Sequence, residues 1–184
     1  MRRSRLLAGL LLLLLFFVEP QVARAETIPE RLIADLQEDF ALRDYQAVAI
    51  AGNLAQETGN FRTLGSSRSA CFGYSQWTGK RRTAFFRHAD SLGSRTSYAA
   101  NYGFMAKELR GPYARVLERL RRTRSLEEAT RVFMTGYLAP NPRHGALAKR
   151  IAFAKNYANG AFGGAGCLPE KGGHGTRIPA CAAS

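Results

Sequence analysis

The sequence predicts a mainly α-helical domain with one small β-hairpin, and three observations support this prediction. Apolar residues recur at helical spacing in seven stretches between residues 29 and 157. A stretch rich in glycine and serine, residues 59–73, leads into Phe72-Gly73-Tyr74-Ser75-Gln76-Trp77, a pattern typical of a short strand or hairpin. The 184 residues are 46% hydrophobic, which suffices for one packed domain and is too apolar for a disordered chain.

Each predicted helix has its own sequence signal. Pro29 after Thr27 is typical of a first helical turn, and the second helix is predicted from Arg43 to about Thr58. Ser125, followed three residues later by a glutamate, predicts a capping box at the start of the sixth helix. The positions predicted to face inward are, in chain order, Leu32, Ile33, Leu36 and Phe40; Val48, Ile50, Ala51 and Leu54; Ala84, Phe85, Ala89 and Leu92; Tyr98, Tyr102, Met105 and Leu109; Tyr113, Val116, Leu117 and Leu120; Val132 and Phe133; and Leu147, Ile151, Ala154 and Tyr157.

Both ends of the chain differ from this predicted domain, which spans residues 26–159. Residues 1–25 combine an arginine-rich start, an apolar run and the small-x-small triplet Ala23-Arg24-Ala25, which predicts an export signal cleaved before Glu26. An uncleaved N-terminal anchor is the alternative. With the signal removed, we expect a periplasmic or secreted protein. Residues 160–184 are rich in glycine, which predicts a flexible tail.

Positive charge dominates the chain, with 27 lysines and arginines against 14 acidic residues. An exported protein of this charge meets anionic polymers, among them cell-wall glycans with acidic stem peptides, teichoic acids, lipid headgroups and nucleic acid. Charge alone does not choose among these partners, and a solubilising surface is the alternative explanation.

The cysteines and histidines exclude several kinds of site. No Cys-x-x-Cys pair is present, and the histidines have no metal-ligand spacing, so we expect neither a metal nor another cofactor. The histidines are His88, His144 and His174. Cys167 and Cys181, 14 positions apart, are predicted to form a disulfide outside the cytoplasm, which leaves Cys71 unpaired and partly buried. A disulfide between Cys71 and a tail cysteine is the alternative.

Glu57 is the candidate catalytic residue. It lies seven positions after Ile50 and three after Leu54, so on a helix its side chain shares their apolar face. Burial of a carboxyl disfavours its charged form, and a carboxyl that keeps its proton can protonate a glycosidic oxygen. Gly59 then allows the chain to leave the helix and open a groove. The alternative is a helix-end carboxylate paired with one of the 22 arginines.

The segment Tyr74-Ser75-Gln76-Trp77 is the second half of the predicted site. The Gln76 amide can both donate and accept a hydrogen bond, as an N-acetyl group or a sugar hydroxyl requires. Strand alternation predicts Tyr74 and Gln76 on one face, towards a sugar, with Trp77 on the other. The alternatives are that Gln76 caps backbone groups and that Trp77 is a core anchor, and for Trp77 we favour the core.

These segments resemble those of the phage tail lysozyme family. Residues 52–61, Gly-Asn-Leu-Ala-Gln-Glu-Thr-Gly-Asn-Phe, are similar to the family's "GNL-x-x-E-S-x-F" helix end, and residues 73–82 to its "G-x-x-QW-x-G-x-R" segment. Further likenesses are Asn101 with Phe104 to Leu109 ("N … F-x-x-x-EL"), Ser125 to Phe133 ("S-x-EEA-x-x-F") and Arg150 to Ala154 ("R-x-x-x-A"). Goose-type lysozymes and lytic transglycosylases show a wider likeness, since their catalytic glutamate is also followed by a glycine-led turn ending in glutamine.

The resemblance implies an α+β lysozyme-like fold and cleavage of the β-1,4 bond between N-acetylmuramic acid and N-acetylglucosamine in peptidoglycan. It implies that Glu57 is the catalytic acid and that Gln76 lies in the substrate groove, flanked by Tyr74 and Ser75. Glycan strands of peptidoglycan are then the partner. Neither nucleic acid binding nor a membrane span after signal cleavage is expected.

No second catalytic carboxylate stands out. Asp90 is interpreted as solvated, Glu108 as an ion-paired structural residue, and Glu127 as part of a capped first helical turn. We therefore predict single-acid chemistry, in which Glu57 protonates the leaving oxygen. The substrate's 6-hydroxyl or a water then completes the reaction, giving a 1,6-anhydro end or a reducing end. A non-catalytic peptidoglycan-binding or wall-assembly module is the alternative function, and a cationic protein acting on membranes is a third.

Overall fold

The computed structural model describes residues 24–66, 68–141 and 145–168, and this part of the chain confirms a mainly α-helical fold with a small hairpin. The helices are α1 (Ile28–Phe40), α2 (Asp44–Thr58), α3 (Gly79–Ser91), α4 (Tyr98–Arg110), α5 (Ala114–Arg122), α6 (Leu126–Phe133) and α7 (Leu147–Ala158). The strands are β1 (Cys71–Phe72) and β2 (Trp77–Thr78), which pair antiparallel, and a π-helical segment, Met134–Leu138, extends α6. None of the helices in the described ranges has the length and hydropathy needed to cross a bilayer.

Helix α2 forms the centre of the core. Its residues 47–55 are all buried, and α1, α6 and α7 pack around it. The sequence predicted only one apolar face, but the small side chains of α2 admit neighbours on every side. At Gly52 an added Cβ would lie 2.6 Å from the backbone nitrogen of Ala154, so α7 approaches α2 backbone to backbone. This close approach also brings Arg150, one turn before Ala154, alongside α2.

Polar caps fix where the helices begin. At α1 the Thr27 hydroxyl accepts from the Glu30 N–H, and the Glu30 carboxylate accepts in return from the Thr27 N–H at 2.8 Å. At α6 the Ser125 hydroxyl accepts from the Glu128 N–H at 3.1 Å, as predicted. The Glu128 carboxylate, however, accepts from the N–H of Arg124 at 2.8 Å, one residue before the expected partner.

The first nine residues of the predicted tail are packed against the domain. The Ile28 N–H donates to the Gly166 carbonyl at 2.8 Å, and the Gly166 N–H donates to the Asn60 carbonyl at 2.9 Å. Ala165 is fully buried, and the Phe162 ring stacks on Tyr157. The domain boundary predicted at residue 159 therefore falls inside a packed segment, because these backbone bonds tie residues 160–168 to both α1 and the end of α2.

The cysteines agree with the prediction as far as the structure describes them. Cys71 is free and half-buried, and Cys167 is disulfide-bonded. Its predicted partner, Cys181, lies outside the described residues, as do residues 1–23 of the predicted signal.

Candidate active site

Glu57 lies in the last turn of α2, and the chain turns away directly after it. Gly59 ends the helix in the left-handed conformation with a φ of 57°, and Asn60 and Phe61 follow with φ values of 64° and 62°. The Thr58 hydroxyl stabilises this turn because its oxygen accepts from the Phe61 N–H at 2.9 Å. The sharp exit leaves one side of the helix end uncovered, and the Glu57 side chain is 20% exposed.

The Arg150 guanidinium holds one side of the Glu57 carboxylate. The Arg150 side chain is 2% exposed, and its Nη2 donates to Glu57 Oε1 at 2.6 Å. Its Nη1 donates to the Asn53 carbonyl at 3.0 Å and its Nε to the Gly145 carbonyl at 2.6 Å, so two backbone groups fix its orientation. The observed contact is thus the helix-end ion pair that was the alternative interpretation of Glu57. Its catalytic role stays a prediction.

The two oxygens of the Glu57 carboxylate have different surroundings. Oε1 accepts from Arg150, whereas Oε2 makes no hydrogen bond to any described residue. The side chain also keeps some exposure, and Oε2 is the oxygen that Arg150 does not hold. The arrangement can therefore exchange a proton through one oxygen while the other is held in place.

The hairpin at residues 71–78 places Gln76 differently from the strand prediction. Residues 73–76 form the turn between β1 and β2, and Gln76 itself has a φ of 47°. Its Nε2 donates to the Gly73 carbonyl at 2.8 Å and to the Leu64 carbonyl at 3.4 Å, and its Oε1 accepts from the Cys71 thiol at 2.9 Å. The prediction of alternating strand faces is wrong here, because a turn does not alternate. Gln76 caps backbone groups, its alternative interpretation.

The neighbours of Gln76 in the turn are buried. Tyr74 is 1% exposed and packs its ring edge-on against Phe61, with the ring centroids 5.4 Å apart. Ser75 is 6% exposed. Trp77 is 1% exposed and stacks on Phe85 at 4.5 Å, which confirms its assignment to the core. Tyr74 therefore presents no open ring face, and the substrate-binding role of Tyr74, Ser75 and Gln76 stays a prediction.

Glu108 is the centre of a buried polar cluster. Its carboxylate accepts from Trp77 Nε1, from Arg81 Nε and from Arg81 Nη2, each at 2.8 Å, and from the Tyr137 hydroxyl at 2.6 Å. Burial and the neighbouring carboxylate raise the pKa of Tyr137, so this hydroxyl keeps its proton and donates it. The structure confirms the interpretation of Glu108 as an ion-paired residue. Three of these bonds go to Oε2, and one, from Arg81 Nε, goes to Oε1.

The other two candidate carboxylates are paired on the surface. Asp90 forms an ion pair with Arg95 at 2.6 Å, and Glu127 forms one with Lys155 at 2.8 Å. Among the described residues no group of three His, Cys, Asp or Glu side chains has the proximity that a metal ion needs. His144 is one of the residues that the structure does not describe.

Contacts between the sequence motifs explain why they occur together. The "GNL" helix end meets the closing "R-x-x-x-A" segment through the bonds of Arg150 to Glu57 and to the Asn53 carbonyl. Gly52 also approaches Ala154 closely. The "QW-x-G-x-R" segment meets the "EL" helix through the ion pair of Arg81 with Glu108. Sequence reasoning named Arg150 only as part of its motif and missed its role as the partner of Glu57.

Comparison with known proteins agrees with this arrangement. The family model described as phage tail lysozyme matches residues 33–160, a span that includes both glutamate–arginine pairs and the hairpin. No curated protein and no solved structure gives a match. Because the matched span exceeds half of the chain, the protein belongs to the phage tail lysozyme family, whose domains lyse peptidoglycan.

Proposed function

We propose that the protein is an exported peptidoglycan-cleaving glycosidase, a muramidase or a lytic transglycosylase. It cuts the β-1,4 bond between N-acetylmuramic acid and N-acetylglucosamine, with Glu57 as the general acid. The observation that carries this proposal is the Glu57 carboxylate itself. A buried arginine holds one of its oxygens, and the other oxygen accepts no hydrogen bond from a described residue at a partly open helix end.

The proton moves through Glu57 in two steps. Glu57 first gives its proton to the glycosidic oxygen, so the bond to the muramic acid C1 breaks and the leaving sugar departs with a new hydroxyl. The Glu57 carboxylate then accepts a proton from the group that attacks C1. Attack by the substrate's 6-hydroxyl gives a 1,6-anhydro end, and attack by water gives a reducing end.

Arg150 acts on the charge that this transfer creates. The Arg150 guanidinium donates a charge-assisted hydrogen bond to Glu57 Oε1, so it stabilises the carboxylate that remains after the proton has left. Because backbone carbonyls already orient the guanidinium, little reorganisation is needed when the charge appears.

The test is mass spectrometry of a peptidoglycan digest with purified protein. Glu57→Gln removes the transferable proton and keeps an oxygen for Arg150, and we expect cleavage to fall on the order of 10²–10⁴-fold. Glu38→Gln is the matched control, since Glu38 is exposed on α1. An active and folded Glu57→Gln protein would end the proposal. Anhydro ends in the wild-type digest identify a transglycosylase, and reducing ends identify a muramidase.

The alternative function is a peptidoglycan-binding or wall-assembly module without cleavage. One observation favours it, because Glu57 and Gln76 both already have partners within the protein. In the same digest this module would sediment with peptidoglycan and create no new glycan ends. If the wild-type protein sediments with peptidoglycan and creates no new glycan ends, the binding module becomes the proposed function in place of the glycosidase.

Export is a separate part of the proposal and rests on residues 1–25. Sequencing the N-terminus of the protein recovered outside the cytoplasm tests it. We expect Glu26 as the first residue, and a protein that begins at Met1 in the membrane fraction would indicate the anchor instead.

A further inference from the structure

A pocket of about 530 Å³ opens between α3 and α4, and neither Glu57 nor Gln76 lines it. Its volume lies within the usual range of small-molecule sites. Its lining includes Ala84, Arg87, His88, Phe104, Lys107 and Pro112. No role in the proposed cleavage falls on any of them, so the pocket requires its own explanation.

No described residue neutralises the cations Arg87 and Lys107 of this pocket. Arg87 and Lys107 are exposed, and neither forms a hydrogen bond or an ion pair with a described residue. The one carboxylate in the lining, that of Glu108, is already ion-paired with Arg81 and accepts hydrogen bonds from Trp77 and Tyr137. The pocket therefore keeps a net positive charge.

His88 shows the effect of that charge on a neighbour. Its ring lies 5.6 Å from the Phe104 ring, and its Nε2 is buried with no hydrogen-bond partner among the described residues. Burial and, secondarily, the charge of Lys107 lower the pKa of His88. A bound anion would offset the Lys107 charge, so the imidazole is a natural reporter of occupancy.

We propose that this pocket binds a carboxylate carried on a small alkyl group, the chemistry of an alanine at the C-terminus of a short peptide. Guanidinium and ammonium groups bind carboxylates through charge-assisted hydrogen bonds. Ala84, Phe104 and Pro112 supply the apolar surface that a methyl group needs, and a free phosphate would leave that surface unused. Stem peptides of peptidoglycan combine alanine with carboxylates, so the identification of the source rests on the proposed function.

Titration of ¹⁵N-labelled protein with N-acetyl-D-alanyl-D-alanine, followed by NMR, tests the proposal. We expect shifts at His88 and Gly103, which lies against the His88 ring. The C-terminal amide of the same peptide and inorganic phosphate should produce much weaker shifts. Lys107→Met and Arg87→Met should each weaken binding by about tenfold, since each removes one charge-assisted bond. Lys80→Met, an exposed lysine on the first turn of α3, is the control and should bind like the wild type.

Equal binding of the acid and the amide, or unchanged binding by Lys107→Met and Arg87→Met, would overturn the proposal. So would phosphate shifts as strong as those of the peptide, which would indicate a simple anion site. The experiment does not require cleavage, and the Glu57→Gln protein should bind the peptide normally. Failure of the glycosidase proposal would appear as missing glycan ends with peptide binding intact, so the two failures are distinguishable.

Discussion

The two glutamate–arginine pairs of this domain have opposite arrangements. In one pair the Arg150 side chain is 2% exposed and that of Glu57 is 20% exposed. In the other pair the Glu108 side chain is 8% exposed and that of Arg81 is 28% exposed. The first pair buries the cation and leaves the acid at the surface of the core, whereas the second buries the acid and leaves the cation partly open.

The number of donors around each carboxylate separates a structural acid from an available one. Glu108 accepts four hydrogen bonds from three residues, three on Oε2 and one on Oε1, so both of its oxygens are engaged. Glu57 accepts one hydrogen bond from a described residue, and it uses a single oxygen. Since both glutamates belong to motifs of the family, a motif position alone does not indicate chemistry. The count of partners does.

Among the variants that test this comparison, Glu108→Gln is expected to have the largest effect on stability. The new amide nitrogen meets N–H and O–H donors instead of accepting from them, and the Arg81 charge loses its partner. We expect the free energy of unfolding to fall by about 3 kcal/mol, at the lower end for a broken buried pair because Arg81 is partly exposed. The melting temperature should fall by roughly 6–12 °C for a chain of this size.

Activity measurements complete the Glu108→Gln test. The fraction that remains folded should cleave peptidoglycan at nearly the wild-type rate, whereas the folded fraction of Glu57→Gln should lose the rate. Glu38→Gln should change neither quantity. If Glu108→Gln melted normally and lost cleavage instead, Glu108 would be the acid of the reaction and the comparison would be reversed.

A smaller effect is expected from Arg150→Lys. The ammonium keeps the charge but cannot bond Glu57, Asn53 and Gly145 together, because it lacks the planar fork of the guanidinium. Two lost hydrogen bonds should lower the free energy of unfolding by about 2 kcal/mol.

Kinetics separate positioning by Arg150 from a purely structural role. If Arg150 orients Glu57, kcat should fall in the folded Arg150→Lys protein while KM stays near the wild-type value. Arg150→Met, which also removes the charge, should lower kcat further. Equal kcat values for the lysine variant, the methionine variant and the wild type would show that the pair serves packing alone.

Local sequence patterns predicted the helices and the position of Glu57 well. Apolar periodicity and capping residues act over a few residues, so all seven helices were predicted in the observed order, the second from Arg43 to about Thr58. The inward prediction for Leu92 is wrong, because α3 ends at Ser91 and Leu92 is exposed. The position of Glu57 followed from its spacing to Leu54 and from Gly59 at the helix end. Both signals are local, and tertiary packing did not override them.

The contacts that define the site could not be predicted because they are not local. Arg150 is 93 positions from Glu57, and nothing in the spacing selects it from among 22 arginines. The all-round burial of α2 depends on partners from three other helices. The strand prediction failed at Gln76, since a left-handed φ at a non-glycine residue has no clear sequence signal.

The smallest expected effect on stability concerns Gln76. Its amide forms hydrogen bonds within the hairpin, as the Glu108 carboxylate does in the core. Gln76→Ala removes its bonds to the Gly73 carbonyl and the Cys71 thiol, and we expect the free energy of unfolding to fall by about 0.5–1.5 kcal/mol. Gln76→Gly also loses these bonds but accommodates the φ of 47° without the Cβ strain, which is worth about 1–2 kcal/mol. The glycine variant should therefore melt above the alanine variant, as thermal unfolding would show.

If Gln76 only shapes the hairpin, cleavage by the two folded variants should be equal and close to the wild type. If both variants fold normally but cleave roughly two- to tenfold more slowly, the amide contacts the sugar directly, and Gln76 then belongs with Glu57 among the available groups.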